Sequence, residues 1–349
     1  MLKARICMTV GLIALLLSIP ALAASDVVER TFPFRGGLVD IGIERGSVEV
    51  RTGTGGDVRV RIEASRGRVS DYLDVRFEEG DGLRIEGEEV RGGSVRGSIH
   101  FLIEAPEDID LRIATDGGHV EVDDVTGEVE ITTGGGHIEF GDVGRSLVID
   151  TGGGHIQGGS VGDRARIETG GGHVEVEQVG GDLEVQSGGG HIEIGDVAGA
   201  LEVRTGGGHL EAGHVMGSAA LRSGGGHVGM AGCDGDVKVN TGGGRIELEE
   251  MAGFVFAHTG GGDIEVRLAG GNTAGVDLKS ERDGDITVHV PAGQGFDLDA
   301  VASGSVEADP SLGFSGMLSG NRVNGPIGGG GQVLKLRADD GDIRIVSGR

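Results

Sequence analysis

The fold of this chain is decided by residues 133–157, which read TGGGHIEFGDVGRSLVIDTGGGHIQ. The unit TGGGHI occurs twice in this stretch, and its two histidines are 18 residues apart. The same spacing continues in both directions and gives seven histidines: His119, His137, His155, His173, His191, His209 and His227. Arg245 and Asp263 then occupy the same position for two more steps. Self-similarity at a fixed short period is typical of proteins in which each repeat stacks on the one before it.

Each repeat contains two runs of alternating apolar residues. The first follows the histidine, as at Ile138 and Phe140, and the second ends on a Thr or Ser, as at Leu147, Ile149 and Thr151. Alternation with a period of two is typical of a half-buried strand whose apolar side faces inward. Triple glycine then provides the corner, because glycine adopts positive φ angles that side chains resist. We therefore predict an all-β fold, a parallel β-solenoid similar to a β-helix or β-roll, with coils of about 18 residues and two short strands per coil.

The first residues, 1–23, are predicted to form a signal peptide. Basic residues precede an apolar run from Ile6 to Ile19, and a small-x-small cleavage site ends at Ala23. The run is short for a bilayer-spanning helix, so an uncleaved membrane anchor is the weaker alternative. No transmembrane anchor is expected in the mature chain, since no later segment is long and apolar enough. We expect an exported protein, in the periplasm, on the outer cell surface or secreted.

The regularity of the spacing divides the remainder into three parts. Residues 24–115 contain strand-like runs at looser spacing and are predicted to be irregular β coils that form an N-terminal cap. Residues 116–280 are the regular solenoid. Residues 281–349 are predicted to be irregular β coils that form a C-terminal cap, because GDITV at residues 284–288 arrives four residues late. Caps are expected since open sheet ends invite edge-to-edge association.

Composition limits the possible functions. The formal net charge is −26, and such a surface repels nucleic acid, so no nucleic-acid partner is expected. Glycine accounts for 74 residues and aromatic residues for only 3%, which suits narrow coils better than a conventional globular core. Beyond the predicted signal peptide Cys233 is the one cysteine, so no intrachain disulfide is expected. It shares an apolar column with Val143 and Val161, which predicts a small buried hydrophobe instead of a reactive thiol.

Several motifs together resemble a known family. The signal peptide is followed by GSVEV at residues 46–50, by units such as TGGGHVEV at residues 169–176, and by a terminal GGGG with LKLRADDGDIRIV at residues 334–346. This combination is similar to the bacterial "putative adhesin" family of uncharacterised β-strand-repeat proteins, a domain of unknown function. The resemblance covers nearly the whole mature chain. It implies an exported β-solenoid and, through the family's name, attachment to surfaces, and it brings no catalytic residues.

Other repeat classes fit the residues less well. Calcium-binding β-rolls need Asp in every turn, whereas here Asp124, Asp142 and Asp196 alternate with Ser160 and other residues. Ice-binding solenoids present paired Thr faces, whereas this Thr and Ser column is single and is expected to face inward. Nothing in the repeats interrupts the coils to build a catalytic cleft. We therefore expect the protein not to be an enzyme.

The outward face beside the histidines carries a second column, of glutamates, which is broken by Gln157 and Gly229. Three interpretations of the histidines stay open. The first is that repeat duplication copied a tolerated surface residue. The second is a metal site, in which neighbouring imidazoles share Zn²⁺, Cu²⁺ or Ni²⁺ and glutamates add ligands. The third is a pH-sensitive binding face, because histidine titrates near neutrality. The candidate metal ligands are the seven histidines with Glu139, Glu175, Glu193 and Glu211.

The sequence thus predicts an exported, non-enzymatic β-solenoid that is a structural or adhesion-type binding module at the bacterial cell envelope. Its expected partner is a cell-envelope or surface protein or a glycan. The alternative is a divalent-metal-binding or pH-responsive envelope protein that uses the His/Glu ladder. A divalent metal ion, required only by that alternative, is the one cofactor that the residues indicate.

Overall fold

The structure, a computed structural model, describes residues 26–90, 97–319 and 321–348. The predicted signal peptide, residues 1–23, lies outside the described residues. Nearly all regular structure in the described part is β-strand, accompanied by two short 3-10 helices, η1 (Val69–Asp71) and η2 (Pro310–Leu312). Within these residues there is no helix of the length and apolar character needed to cross a membrane. The all-β prediction is therefore confirmed.

Sheet A contains 16 strands and runs the length of the molecule. In spatial order its strands are β1 (Val27–Pro33), β4 (Asp57–Ala64), β7 (Ile99–Pro106), β3 (Ser47–Gly53), β9 (Val120–Val122), β11 (Ile138–Phe140), β13 (Ile156–Val161), β15 (Val174–Val179), β17 (Ile192–Val197), β19 (Leu210–Val215), β21 (Val228–Cys233), β23 (Ile246–Met251), β25 (Ile264–Leu268), β27 (Ile286–Val290), β33 (Ile343–Ser347) and β29 (Val306–Ala308).

Sheet B contains the other strands of each coil. In spatial order they are β5 (Leu73–Glu79), β6 (Leu83–Glu89), β2 (Leu38–Ile43), β8 (Asp110–Thr115), β10 (Val129–Thr133), β12 (Leu147–Thr151), β14 (Ala165–Thr169), β16 (Leu183–Ser187), β18 (Leu201–Thr205), β20 (Ala219–Ser223), β22 (Val237–Thr241), β24 (Val255–Thr259), β26 (Val276–Ser280), β32 (Gln332–Ala338), β28 (Phe296–Ala302), β31 (Arg322–Ile327) and β30 (Met317–Ser319). Among the described strands β5 and β30 pair on one side only, so the sheet is open.

The coil length is 18 residues, as the sequence predicts. Ile138 pairs with Ile156 in sheet A, and Leu147 pairs with Ala165 in sheet B, each across one coil in parallel orientation. This register holds in sheet B until β22 pairs with β24. The following coil is longer, and β25 pairs with β27 four residues late. The prediction of a parallel β-solenoid with two short strands per coil is confirmed.

The inward rows of the two sheets form one continuous core. Val174, Val176, Leu183 and Val185 of one coil are each at most 1% exposed, and the same positions are buried in the neighbouring coils. Cys233 is fully buried, and this burial raises the pKa of its thiol. The predicted burial of Cys233 is therefore confirmed. Its low reactivity stays a prediction, which the raised pKa supports because a thiol is reactive only as its thiolate.

The glycine corner is held by the Thr and Ser column, which faces inward as predicted. Thr133 Oγ1 accepts the N–H of Gly135 at 3.2 Å and donates to its carbonyl at 3.1 Å, and the other coils repeat this pair of bonds. Gly136 follows with φ 131°, and a Cβ there would lie 2.0 Å from the carbonyl oxygen of Gly118. The third glycine is therefore required both by its φ and by the backbone of the preceding coil.

The two ends contain antiparallel strands, which the prediction of irregular coils did not include. At the N-terminal end β2 and β3 stack on β8 and β9, whereas β1, β4 and β7 pair antiparallel beyond them, as do β5 and β6. At the C-terminal end β32 lies in sheet B and β33 in sheet A. They stack directly on β26 and β27, and β28 and β29 lie outside them. The three-part division at residues 115 and 280 stays a prediction.

Candidate functional site

The histidine column, His119 to His227 in steps of one coil, lies at the corner where triple glycine leads into sheet A. Each histidine precedes a buried residue of the core, such as Val120 or Ile138, so the imidazole faces outward. From His119 to His209 neighbouring rings stack at centroid distances of 4.8–5.1 Å with interplanar angles of 0–20°. The last step, to His227, is tilted by 60° with 6.2 Å between centroids. The stacking distance is the separation of two coils.

A hydrogen bond links most of these rings to the next coil. The backbone N–H of His137 donates to Nδ1 of His119 at 3.3 Å, and that of His173 donates to Nδ1 of His155 at 3.1 Å. The same bond forms in five of the six steps. A nitrogen that accepts a hydrogen bond carries no proton, so the neutral imidazole is protonated at Nε2. In the column, each Nδ1 that forms this bond is therefore a fixed acceptor for a backbone N–H, and the Nε2–H of the same ring points away from that bond.

Aspartates take over this function where the histidines end. Asp263 Oδ1 accepts the N–H of Asp285 at 3.0 Å, and Asp285 Oδ1 accepts the N–H of Asp342 at 2.9 Å. Asp342 in turn accepts the N–H of Ser305, and this hydrogen bond lowers the pKa of the Asp342 carboxyl. Sequence reasoning missed the acceptor function, although Asp263 in the histidine register was a signal for it.

The glutamate column lies on the outer surface of sheet A, two residues beyond the histidines. Its members are Glu121, Glu139, Glu175, Glu193, Glu211, Glu247 and Glu265. Glu175 pairs with Glu193, and Glu193 with Glu211, so carboxylates stand on successive coils. Glu49 pairs with Glu121 and extends the column toward the N-terminus, which the sequence did not reveal. Like charges at this spacing repel by about 1 kcal/mol per pair in water.

Contact between the two columns is made at their C-terminal end. His227 Nε2 lies 3.3 Å from Glu211 Oε1, and Arg245 Nη2 lies 2.5 Å from Glu265 Oε2. His289 Nε2 also lies 3.1 Å from Glu265 Oε1. The guanidinium of Arg245 thus offsets part of the carboxylate repulsion there.

The geometry gives no support to the metal hypothesis. Two imidazoles that share an ion at about 2.1 Å need their nitrogens within about 4.2 Å of each other. Parallel rings keep equivalent atoms at the coil separation, which is 4.8 Å or more. Across the described ranges no group of three or more His, Cys, Asp or Glu side chains is placed to hold a metal ion. Metal binding by the seven histidines with Glu139, Glu175, Glu193 and Glu211 stays a prediction.

The outer face of sheet B differs from the His/Glu face because its charges are mixed. Arg166 Nη1 lies 2.6 Å from Glu184 Oε2 and also pairs with Glu168, while Arg204 pairs with Glu202. Depressions on this face include one with a volume of about 910 Å³ and one of about 600 Å³.

The fold and the columns define a class of protein: an extended, glycine-cornered β-solenoid whose surface side chains repeat coil by coil. The chain belongs to the Toastrack family, DUF4097, whose sequence profile matches residues 39–346. This match confirms the family resemblance predicted from the motifs. No curated protein matches the sequence.

Three solved structures of bacterial proteins show low similarity to this chain. A "putative cell adhesion protein" from Clostridium sporogenes is 10% identical, with a TM-score of 0.19 over 93% of this chain and 100% of its own. A "putative adhesin" from Bacteroides fragilis is 11% identical, with a TM-score of 0.24 over 93% and 99%. A "putative lipid binding protein" from Parabacteroides distasonis is 12% identical, with a TM-score of 0.31 over 76% and 97%. Values this low carry no argument about function.

Proposed function

We propose that the protein is an exported, non-enzymatic β-solenoid that is a structural or adhesion-type binding module at the bacterial cell envelope. The observation that carries this proposal is the unbroken parallel register from β10 to β24 in sheet B. Such a register produces a rigid surface on which outward side chains stand in straight rows, which suits the binding of an extended or repeating partner. The partner class is a surface protein or glycan.

A non-enzymatic role is supported by the repetition of the surface chemistry. Catalysis needs one place where different groups converge on a reacting atom. The outward histidines and glutamates instead recur at equivalent positions in successive coils, and corner amides such as those of Gly134 and Gly136 already donate to neighbouring coils. Export is supported by the sequence of residues 1–23.

Attachment tests the adhesion-type role. A strain that lacks the gene is compared with the wild type and with a complemented strain, and retained cells are counted on host-derived and abiotic surfaces. We expect the deletion to reduce attachment or to weaken the envelope against detergent, and complementation to restore it. Unchanged attachment together with an unchanged envelope would refute the proposal. Fractionation of the complemented strain, with N-terminal sequencing that starts at Ala24, tests export.

A pH-responsive face is the second candidate, and the Nδ1 hydrogen bonds favour it. An imidazolium carries hydrogen on both nitrogens and cannot accept the backbone N–H of the next coil. Charging the histidine column therefore breaks these bonds in the folded state and weakens this corner of the coils in acid. Amide exchange of the column backbone at pH 5 and pH 8, corrected for intrinsic rates, tests this candidate. Equal protection at both values would exclude it.

A further inference from the structure

The larger depression on the outer face of sheet B has features that the fold does not require. Its volume is about 910 Å³, and it spans the coils from Arg164 to Phe256. Ala200, Ser218 and Ala220 form its floor, where small side chains replace longer ones of the neighbouring coils. The depression follows the long axis of the solenoid, and its six coils extend over roughly 24 Å at the usual strand spacing.

Two phenylalanines stand at one end of this depression. Phe254 is 37% exposed, and Phe256 lies on the same side of the chain, in β24, with its ring half-buried. The chain contains few aromatic residues, and Phe101 and Phe296 lie in the core, where burial stabilises the fold. An outward aromatic pair contributes little to that core. It provides an apolar platform on which a flat ligand can stack, a common feature of binding sites.

Two cations of this face have no carboxylate partner: Lys238 lies beside Phe256, and Arg222 lines the smaller depression. Between residues 116 and 280, each Lys and Arg of the described chain forms an ion pair except Arg222 and Lys238. Lys238 Nζ lies 5.5 Å from the centroid of the Phe256 ring. Arg222 pairs with Asn240 and Lys238 with Ala220, so the two cations are diagonal neighbours with Cα atoms about 8 Å apart.

The local charge differs from that of the whole chain. The larger depression is lined by three Lys or Arg and four Asp or Glu residues, and the smaller one by three Arg and one Glu, whereas the chain has a net charge of −26. Charges farther away than about 8 Å are largely screened at physiological ionic strength. Lys238 in the larger depression and Arg222 in the smaller one are therefore available to an anionic group on this face.

We propose that this face binds an acidic glycan, a chain of sugar rings that carry carboxylate or sulfate groups. The rings stack on Phe254 and Phe256, and the anionic groups bind Lys238 and Arg222. A long glycan can follow the depression along the solenoid axis and bind several coils at once. This inference rests on the proposed adhesion-type function and names its ligand class.

Calorimetric titration of the purified mature chain tests the proposal. The probes are hexasaccharides of galacturonate, guluronate and chondroitin sulfate, with neutral maltohexaose and single-stranded DNA as comparisons. We expect saturable binding of at least one acidic glycan, weakened by salt, and no saturable binding of maltohexaose or DNA. Absence of binding to all three acidic glycans overturns the proposal. Equal binding of maltohexaose or of DNA also overturns it, since the site would then not be selective for acidic sugars.

Variants identify the site. F254A/F256A and R222Q/K238Q are each expected to raise Kd at least tenfold while the far-UV spectrum and Tm stay close to those of the wild type. Val148→Ala and Arg112→Gln are the matched controls, because they change an exposed apolar residue and a cation of the same sheet outside the depression. Binding that survives both double variants, or that falls equally in the controls, places the site elsewhere. Unchanged attachment and an unchanged envelope in the deletion strain, with glycan binding by the purified chain intact, would instead count against the proposed function alone.

Discussion

Replacing His155 by Ala tests whether the histidine column stabilises the stacking of coils. His155 lies mid-column, where its Nδ1 accepts the N–H of His173 at 3.1 Å and its ring stacks on neighbours at 4.9 and 4.8 Å. Ala removes the acceptor and both ring contacts. The hydrogen bond alone contributes about 0.5–1.5 kcal/mol to local stability. Every 1.4 kcal/mol is a factor of ten, so the amide of His173 is expected to exchange roughly 2- to 12-fold faster.

Hydrogen exchange resolved at single amides is the appropriate assay, because a repeat array opens locally and exchange at one amide reports directly on the corner that contains His155. His155→Asn is the matched variant: its side-chain oxygen can accept the same N–H, as Asp263 does natively. We expect Asn to preserve most of the protection at residue 173. The amide of Asp263 is an internal reference, since the side chain of Arg245 has no acceptor atom. Unchanged exchange at residue 173 in the Ala variant would refute the stabilising role.

Three further predictions concern the core, the corner and the C-terminal cap. Gly158→Ala places a Cβ 2.0 Å from Cζ of Phe140. Overpacking of this kind costs about 1–3 kcal/mol and is measured as a lower urea midpoint. A second substitution in the same chain, Phe140→Leu, is expected to recover part of the lost stability. Thr205→Val removes the hydrogen bonds of Oγ1 with the carbonyl and the N–H of Gly207, at 2.7 and 3.3 Å, and is expected to lower stability by about 1–3 kcal/mol. Thr205→Ser keeps a hydroxyl that can form these bonds, as Ser187 does, and is expected to be nearly neutral in thermal unfolding. The hydrogen bond from the Ser305 N–H lowers the pKa of Asp342 in the folded state. The ionised carboxylate therefore stabilises the fold above the unfolded-state pKa, and this stabilisation is lost as pH falls through the folded-state pKa. Asp342→Asn is expected to flatten the decline of the urea midpoint below pH 4, and an unchanged slope would contradict the assignment.

The repeated part of the fold could be predicted because one pattern determines it. In TGGGHI the glycines define the corner, His137 and His155 give the coil length, and Ile138 and Phe140 identify the inward row. Each coil pairs with the next one in sequence, so spacing along the chain translates directly into register. Burial of Cys233 follows from the same alignment.

The ends and the acceptor function could not be predicted in this way. Val48 pairs with Val120, and Val276 with Leu334, across inserted segments, and local alternation does not identify such distant partners. The antiparallel pairing of β4 cannot be predicted from alternation, because this pattern distinguishes only inward-facing from outward-facing side chains. The sequence also names a histidine without showing which ring nitrogen meets a backbone N–H. The sequence therefore predicted the column of candidate site residues, whereas the hydrogen bonds that these residues form are seen only in the structure.

The position of β32 and β33 has a consequence for biosynthesis. These strands are translated after β28 and β29, yet they cover β26 and β27 directly. During translation, the parallel edges of β26 and β27 stay open until the ribosome has released residues 332–347. A chain interrupted before residue 332 retains two unpaired edges, which are templates for aggregation and targets for proteases. Because of this strand order, truncated products expose the edges of β26 and β27 to proteases, whereas in the longer chain β32 and β33 cover these two edges.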